Sequence, residues 1–372
     1  MNKSDIRFVT LFPRCRNVEL LKDVGMIPYC LHKNYGYQSS IACYQNEEKY
    51  PYSDHEVKGL RLEFMKRTFR NVLLDGILYL IKNAKSINIL NVYHLVLGES
   101  LIWICVYKLL NPSGYVYLKL DMDFRGMQKH EQDVTVKKYL KKKLLKKANF
   151  ISAESKEICR RMAVLYQIPV KCVPNGYFES EYEFDDLEKE NVFLTVGRLG
   201  TEQKATELLL QAFARVADKH DWKLRLVGSA EPEFTAYKNE FFAAYPELAE
   251  RVIFTGAISD KKNLQEEYAK AKVFLLPSRW EGFPLTLPEA MRQGCYIIVS
   301  DAIPPARELI NEGKYGICFE SGNEMKLADA MVESIKIQNF NILTKEIKKY
   351  TEKTLNWNRI CEILYSNFTG DC

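Results

Sequence analysis

The 372 residues are 47% hydrophobic and 27% charged, a globular composition long enough for about two domains of roughly 100–200 residues each. Disorder and a small disulfide-stapled scaffold are excluded. The formal charge of +5 hides an asymmetry: residues through Ser180 carry 29 Lys+Arg against 17 Asp+Glu and the remainder 24 against 31, so the halves stand at +12 and −7 and call for different partners.

In chain order, the first half reads as strands at Arg7–Leu11, Ser39–Cys43, Ile87–Val92, Tyr115–Leu120, Phe150–Ser152 and Val170–Val173. Before the fifth lies a helix-permissive run with seven lysines (Lys137, Lys138, Lys141, Lys142, Lys143, Lys146, Lys147), in which Leu140, Leu144 and Leu145 share one side. Two readings stand, a solvated helix face or a basic amphipathic surface resting on anionic lipid. Without interleaved aromatics or a nucleic-acid motif, nucleic acid is not the expected partner. Asn175-Gly176 and the acidic stretch Glu179–Glu190 mark the boundary between halves. The second half alternates strands Val192–Val196, Lys223–Val227, Val252–Phe254, Val273–Leu276, Tyr296–Val299 and Tyr315–Phe319 with helices Thr206–Asp218, Glu233–Tyr245, Asp260–Ala271 and Pro288–Gln293. Thr351–Phe368, anchored by Trp357, reads as one final helix.

Such alternation predicts an α/β protein with two Rossmann-like, doubly wound parallel sheets, residues 1–178 and 190–350, facing across a cleft at the strands' carboxyl ends. Residues 351–372 are expected to pack back toward the first domain. The ten cysteines (Cys15, Cys30, Cys43, Cys105, Cys159, Cys172, Cys295, Cys318, Cys361, Cys372) show no Cys-x-x-Cys and no paired histidines, so they read as reduced core thiols of a cytoplasmic protein. The start runs into a strand instead of an apolar leader, and Leu101–Leu110 falls far short of the ~20 residues that cross a bilayer. The expectation is a chain neither exported nor membrane-spanning.

Two segments carry chemistry. Val196-Gly197-Arg198-Leu199-Gly200 ends a strand, and Lys204 follows before a helix. Glycines admit close backbone approach, while an arginine fork, a lysine and a helix start favour an anion such as a diphosphate, unless both cations are ordinary surface charges. The spacing fits neither a Walker loop nor G-x-G-x-x-G, so ATP-cleaving and nicotinamide readings lose support. The second segment, Pro277 to Gly294, holds Glu281 in a loop and Glu289 at a helix start. Each carboxylate suits vicinal hydroxyls; alternatively Thr286 and Glu289 form a capping box that closes their own helix.

These residues resemble the retaining glycosyltransferases of family 4, or group 1, with the GT-B fold. The resemblance rests on Val-Gly-Arg-Leu at 196–199 with Lys204, Val252–Gly256, Pro277-Ser278, Glu281-Gly282-Phe283-Pro284 through Glu289-Ala290-Met291, Gly294, and Ser300-Asp301 with Glu308. Ser152–Ser155 and Pro174-Asn175-Gly176 match the family's end of the first domain. It implies that Arg198 and Lys204 hold the diphosphate of a nucleotide sugar, Glu281 the transferred sugar and Glu289 the ribose. Gly197, Gly228, Phe283, Pro284, Leu285 and Thr286 would line the donor. His94 corresponds to a histidine beside the donor sugar, brought there by domain closure, although a buried, satisfied histidine is the competing reading. Gly25 corresponds to a glycine loop near the phosphate.

Asp121-Met-Asp123 offers hard metal ligands, but fixed cations replace a metal, so no cofactor is expected and Asp121 is assigned to the acceptor side. The implied reaction transfers a sugar, with retention, to a glycan or lipid-linked acceptor in capsule, exopolysaccharide or other surface-glycan synthesis, by a peripheral enzyme on the inner face of the plasma membrane. A nucleotide-sugar 2-epimerase and a non-catalytic glycan-binding subunit are the rival readings.

Overall fold

The computed structural model describes residues 6–179, 182, 184 and 187–370. The chain divides into two units, one of residues up to Gly176 together with those from Asn356 onward, the other Tyr177–Leu355. The acidic stretch Glu179–Glu190 read as the boundary lies partly outside the described residues.

The first unit is a seven-stranded parallel sheet of β1 (Arg7–Leu11), β2 (Gln38–Cys43), β3 (Arg61–Phe64), β4 (Ile89–Tyr93), β5 (Tyr115–Leu120), β6 (Phe150–Ala153) and β7 (Lys171–Cys172), in the order β3-β2-β1-β4-β5-β6-β7. The second unit has six parallel strands, β8 (Glu190–Val196), β9 (Lys223–Val227), β10 (Val252–Gly256), β11 (Ala271–Leu276), β12 (Tyr296–Ser300) and β13 (Gly316–Phe319), ordered β10-β9-β8-β11-β12-β13. Central strands such as Val273–Leu276 are buried throughout, as expected of parallel strands covered on both faces. Asn71, Asp123, Ser155, Asp260 and Asn323 start helices by accepting a backbone N–H. Strand order reverses between β1 and β4 in one sheet and between β8 and β11 in the other, and ligands of such sheets bind outside the carboxyl ends at that reversal.

Three expectations need correction. The edge strand β3 was not predicted, because Arg61 and Glu63 alternate with Leu62 and Phe64 over only four residues; Glu63 is fixed there by Arg7 at 2.9 Å. The single terminal helix is two, Phe340–Leu355 in the second unit and Trp357–Thr369 packed on the first. Asn356 separates them with an extended ψ of 128°, and its side chain caps the second helix. That helix is anchored by buried Trp357 and by Tyr365, stacked on Tyr35 at 4.0 Å.

The lysine-rich helix, Thr135–Leu145, also faces differently. Lys141 is buried beside Leu145, paired with Asp133 and 2.8 Å from Nδ1 of His130. Burial, helped by the neighbouring ammonium, pushes His130 down to about 4. Leu140 is exposed together with Val134, Val136 and Tyr139. The outer face therefore mixes apolar side chains with Lys137, Lys143, Lys146 and Lys147.

Under the carboxyl edge of the first sheet sits a fully buried ammonium. Lys119, the penultimate residue of β5, places Nζ 3.1 Å from Glu154 and 3.7 Å from Asp23, and donates to the carbonyl of Val173 at 3.2 Å. Burial opposes its charge, yet Glu154 and Asp23 hold the ammonium firmly protonated. Burial raises both carboxyls despite that partner. Removing one member of such a group leaves uncompensated buried charge, at a cost of roughly 3–5 kcal/mol. Lys119→Met is therefore expected to lose stability on that scale, and more at about pH 8 than at about pH 5. Its two carboxyls would retain protons in the fold that the unfolded chain has released, so stability falls as pH rises. Urea melts at both pH values test this; an equal loss at both would show that the carboxyls do not depend on Lys119.

Candidate active site

At the reversal in the second sheet, the loops after β8 and β11 are stitched together. The β8 loop first continues the ladder: the N–H of Gly197 donates to Val227 O at 2.9 Å and that of Leu199 to Ser229 O at 2.8 Å. A Cβ on Gly228 would lie 1.7 Å from the carbonyl oxygen of Gly197, so glycine at 228 is a condition of this approach. The chain then turns through Thr201–Lys204, with Lys204 N–H on Thr201 O at 3.1 Å. Ala205 takes a left-handed φ of 51°, and Thr206 opens the next helix while its Oγ1 accepts from Gly200 at 2.8 Å. A non-glycine residue there stores about 1–3 kcal/mol of strain, a feature that clusters at functional sites.

That geometry delivers Lys204 to Glu281. Nζ and Oε1 are 2.5 Å apart, and Ser278 Oγ, fully buried, donates to the same oxygen at 3.1 Å. Around the pair, Gln203 donates to Trp280 O at 3.0 Å, Arg279 N–H to Gln203 O at 2.8 Å, and the Arg279 guanidinium to Glu202 O and Glu207 at 2.7 and 2.5 Å. Arg198 lies exposed on the same β8 loop. Two residues expected to act separately, a phosphate cation and a sugar carboxylate, are thus one ion pair.

Pro284 is buried, and Phe283 and Leu285 are half-buried at the start of the helix Thr286–Arg292. The capping box does not form: the cap position is Leu285 and no side chain closes the helix. Thr286 Oγ1 is buried without a partner, while Glu289 Oε2 accepts from Tyr268 at 3.0 Å. Burial raises the Glu289 carboxyl from 4.5 to about 7, with the tyrosine bond opposing.

In the first unit, His94 follows β4 with a left-handed φ of 61°. Ser100 Oγ donates to its carbonyl at 2.6 Å, its own N–H reaches Lys119 O at 3.0 Å, and its ring Nδ1 lies 3.4 Å from Asp121 O. Asp121 is exposed at the end of β5. Asp123 is a helix cap, accepting from Gly126 N–H at 2.6 Å, which is the local reason for its position. Gly25 is not on a loop: it lies inside the helix Asp23–Tyr35, where a Cβ would meet Leu20 O at 2.2 Å. Packing against the preceding turn accounts for it.

Tyr268, Ser100 and Lys119 were not singled out from sequence, and Ser278, quoted with Pro277 in the resemblance, was given no role. Tyr268 sits in a helix with no local signal. Because an acid whose pKa rises on folding binds more protons folded than unfolded, Glu289 is expected to make stability decline from pH 4.5 to about 7, at ~1.4 kcal/mol per unit if the full shift applies. Glu289→Gln should flatten this segment of the stability profile in denaturant melts; an unchanged slope would place the carboxyl in water.

Residues 179–354 match the model of the family Glycosyl transferases group 1. A lipopolysaccharide 1,6-galactosyltransferase of Salmonella typhimurium is 34% identical over 141 residues, 37% of each chain. A Campylobacter jejuni N-acetylgalactosamine-N,N'-diacetylbacillosaminyl-diphospho-undecaprenol 4-alpha-N-acetylgalactosaminyltransferase is 31% identical over 204 residues, 51% of each. The matched stretch thus spans about half or less of these curated relatives. The solved structure of Anabaena HepE in complex with UDP superposes with a TM-score of 0.72 at 14% identity, covering 98% of this chain and 100% of that one, which shows a common fold. The second unit of this chain is thus similar to the group 1 glycosyl transferases, and the chain's two parallel sheets have the GT-B fold.

Proposed function

We propose that the protein is a retaining glycosyltransferase, moving a sugar from a nucleotide-diphosphate sugar to a hydroxyl of a glycan or lipid-linked saccharide in cell-surface polysaccharide synthesis. The observation that carries this reading is the Lys204–Glu281 pair at the reversal of the second sheet; the family match and the relatives' names support it.

Breaking an anomeric C–O bond leaves positive charge on the sugar and negative charge on the departing diphosphate. Arg198 and Lys204 stabilise that diphosphate, and preorganised electrostatics of this kind are usually the largest catalytic term. The acceptor hydroxyl attacks from the leaving-group face, gives its proton to a diphosphate oxygen and retains the anomeric configuration. No divalent ion is required, since the cations are built in. Before the donor arrives, Glu281 holds the ammonium in place. On binding, Lys204 turns to the phosphate and Glu281 is released to accept from sugar hydroxyls. Glu289 accepts from the ribose, His94 steadies the developing charge on the sugar, and Asp121 serves the acceptor.

A thermal-shift panel of nucleotide sugars, with turnover assays in EDTA, tests the assignment. Lys204→Met is expected to weaken nucleoside-diphosphate binding about 10–100-fold, the range for losing a charge-assisted hydrogen bond. Glu281→Gln should bind nucleoside diphosphate at least as tightly as wild type, yet transfer sugar poorly and keep the native circular dichroism. His94→Ala should lower turnover without changing nucleotide binding. Unaltered transfer by Glu281→Gln would remove the carboxylate from the mechanism; conversion of donor without any acceptor would make the protein an epimerase.

No helix among the described residues is long and apolar enough to cross a membrane. The outer face of Thr135–Leu145 suits a peripheral contact with anionic lipid: Val136, Tyr139 and Leu140 are exposed among lysines that contribute about 1 kcal/mol each near such a surface. Replacing Lys143, Lys146 and Lys147 by Gln is expected to abolish sedimentation with phosphatidylglycerol vesicles. Retained sedimentation would assign that face to solvent.

A further inference from the structure

The first unit carries a second concentration of exposed cations, on loops distinct from the lysine-rich helix. Lys66, Arg67 and Arg70 follow β3, the exposed residue Arg14 follows β1, and all lie on connections leaving the carboxyl edge of the sheet. Glu99, which follows β4, takes Arg14 in a two-pronged bond of 2.7 and 2.8 Å, across the reversal between β1 and β4. Among the described residues, no carboxylate pairs with Lys66, Arg67 or Arg70.

These cations are not loose surface charges. Asn46 gives its amide hydrogens to the carbonyls of Pro13 and Cys15 at 2.9 and 2.8 Å, and its oxygen accepts from Arg67 at 2.8 Å. The Arg67 guanidinium lies over the ring of Tyr44, 4.5 Å from its centroid. Tyr44 in turn donates to the buried carboxylate of Asp75 at 2.8 Å, whose other oxygen accepts the N–H of Phe69, also at 2.8 Å. One buried acid thereby fixes both the ring under Arg67 and the backbone of the loop. Arg70 is held at a left-handed φ of 52°, strain that a loop keeps only when its surroundings over-determine it. Beside the cations, Phe64, Phe69 and Leu74 are 50, 55 and 44% exposed.

We propose that this loop cluster seats the diphosphate head of a lipid-linked acceptor, with Arg67, Arg70 and Lys66 on the phosphates and Phe64, Phe69 and Leu74 against the first carbons of the lipid. Arginine forks match the paired oxygens of a diphosphate, and apolar side chains ringed by cations are the signature of a surface that meets a lipid at its headgroup. A purely soluble phosphate would leave the exposed phenylalanines without a role. The inference rests on the transferase reading and narrows its acceptor to a phosphate-bearing lipid, recognised by groups other than those that recognise the donor.

The test is flotation of the full chain with neutral phosphatidylcholine vesicles carrying geranylgeranyl diphosphate, compared with the same vesicles lacking it and with vesicles carrying phosphatidylglycerol. On the neutral vesicles, binding that requires the diphosphate lipid and falls at least about tenfold in Arg67→Gln/Arg70→Gln is the expected result, while phosphatidylglycerol binding, carried by the lysine-rich helix, is expected at the wild-type level in that variant. Phe69→Ser is expected to weaken it while leaving competition by inorganic pyrophosphate intact. The arginine variant should keep the wild-type thermal shift with UDP, which separates this seat from the donor site. Wild-type binding by the arginine variant would overturn the proposal. So would equal loss on phosphatidylglycerol vesicles, which would make the loops a general anionic contact, or Phe69→Ser binding unchanged, which would make the ligand a free phosphate. If UDP gives no shift with any variant while diphosphate-lipid binding persists, the donor assignment fails and the lipid seat stands.

Discussion

The contact between Lys204 and Glu281 is the constraint on which the site depends. The Lys204 and Glu281 side chains are only 20 and 13% exposed, so desolvation offsets much of their attraction; the consequence of the pair is positional. A cation and an anion 77 residues apart hold each other where two strand-end loops converge, and Ser278 fixes the carboxylate from beneath. Everything on the β8 side serves to bring the ammonium there: the glycine contact between 197 and 228, the turn at Thr201 and the left-handed Ala205. In the proposed reaction, a diphosphate that takes the lysine leaves Glu281 with Ser278 as its partner and open to sugar hydroxyls, so that binding of the leaving group and preparation of the sugar contact are one event.

The two units solve the same architectural problem with opposite use of charge. In the second, opposite charges meet half-buried at a reversal, where each keeps some access to water. In the first, Lys119, Asp23 and Glu154 lie beneath the strand ends with almost no access to water, so they cannot exchange partners without a large desolvation penalty. Their effect passes through the backbone: the carbonyl of Lys119 receives the N–H of His94, next to the left-handed torsion that aims the imidazole. The exposed cations of the first unit sit farther along the same edge, on loops that Asn46, Tyr44 and Asp75 make rigid. A buried charge that cannot move and surface charges that cannot wander divide the tasks of shape and recognition.

How much of this was legible follows from the range of each signal. Both sheets apart from β3 were readable because parallel strands are continuous apolar runs punctuated by amphipathic helices, and the places of Arg198, Lys204 and Glu281 on strand-end loops and of Glu289 at a helix start followed from that alternation. Their partnership was not, since a 77-residue separation leaves no local trace. Lys141 looked like one lysine among seven, and only the fold shows Asp133 waiting for it. The break at Asn356 is a single dihedral inside an amphipathic pattern, invisible to periodicity. Gly25 was put on a ligand loop by the family resemblance alone, whereas it lies inside the helix Asp23–Tyr35, where its missing side chain admits the carbonyl of Leu20.

The surroundings of Glu289 give a physical reason for the ribose contact proposed for it. Its carboxyl is raised to about 7 by burial, with one hydrogen bond from Tyr268, and the neighbouring Thr286 hydroxyl is buried with none. Polar groups left in this condition cost about 1–3 kcal/mol each, and a core does not keep them without compensation elsewhere. In the proposed reaction, the vicinal hydroxyls of a ribose supply donors to the carboxylate and an acceptor to the threonine at once, which favours the ionised form of Glu289. On that reading the desolvation that disfavours the unliganded carboxylate becomes discrimination against a nucleotide lacking those hydroxyls.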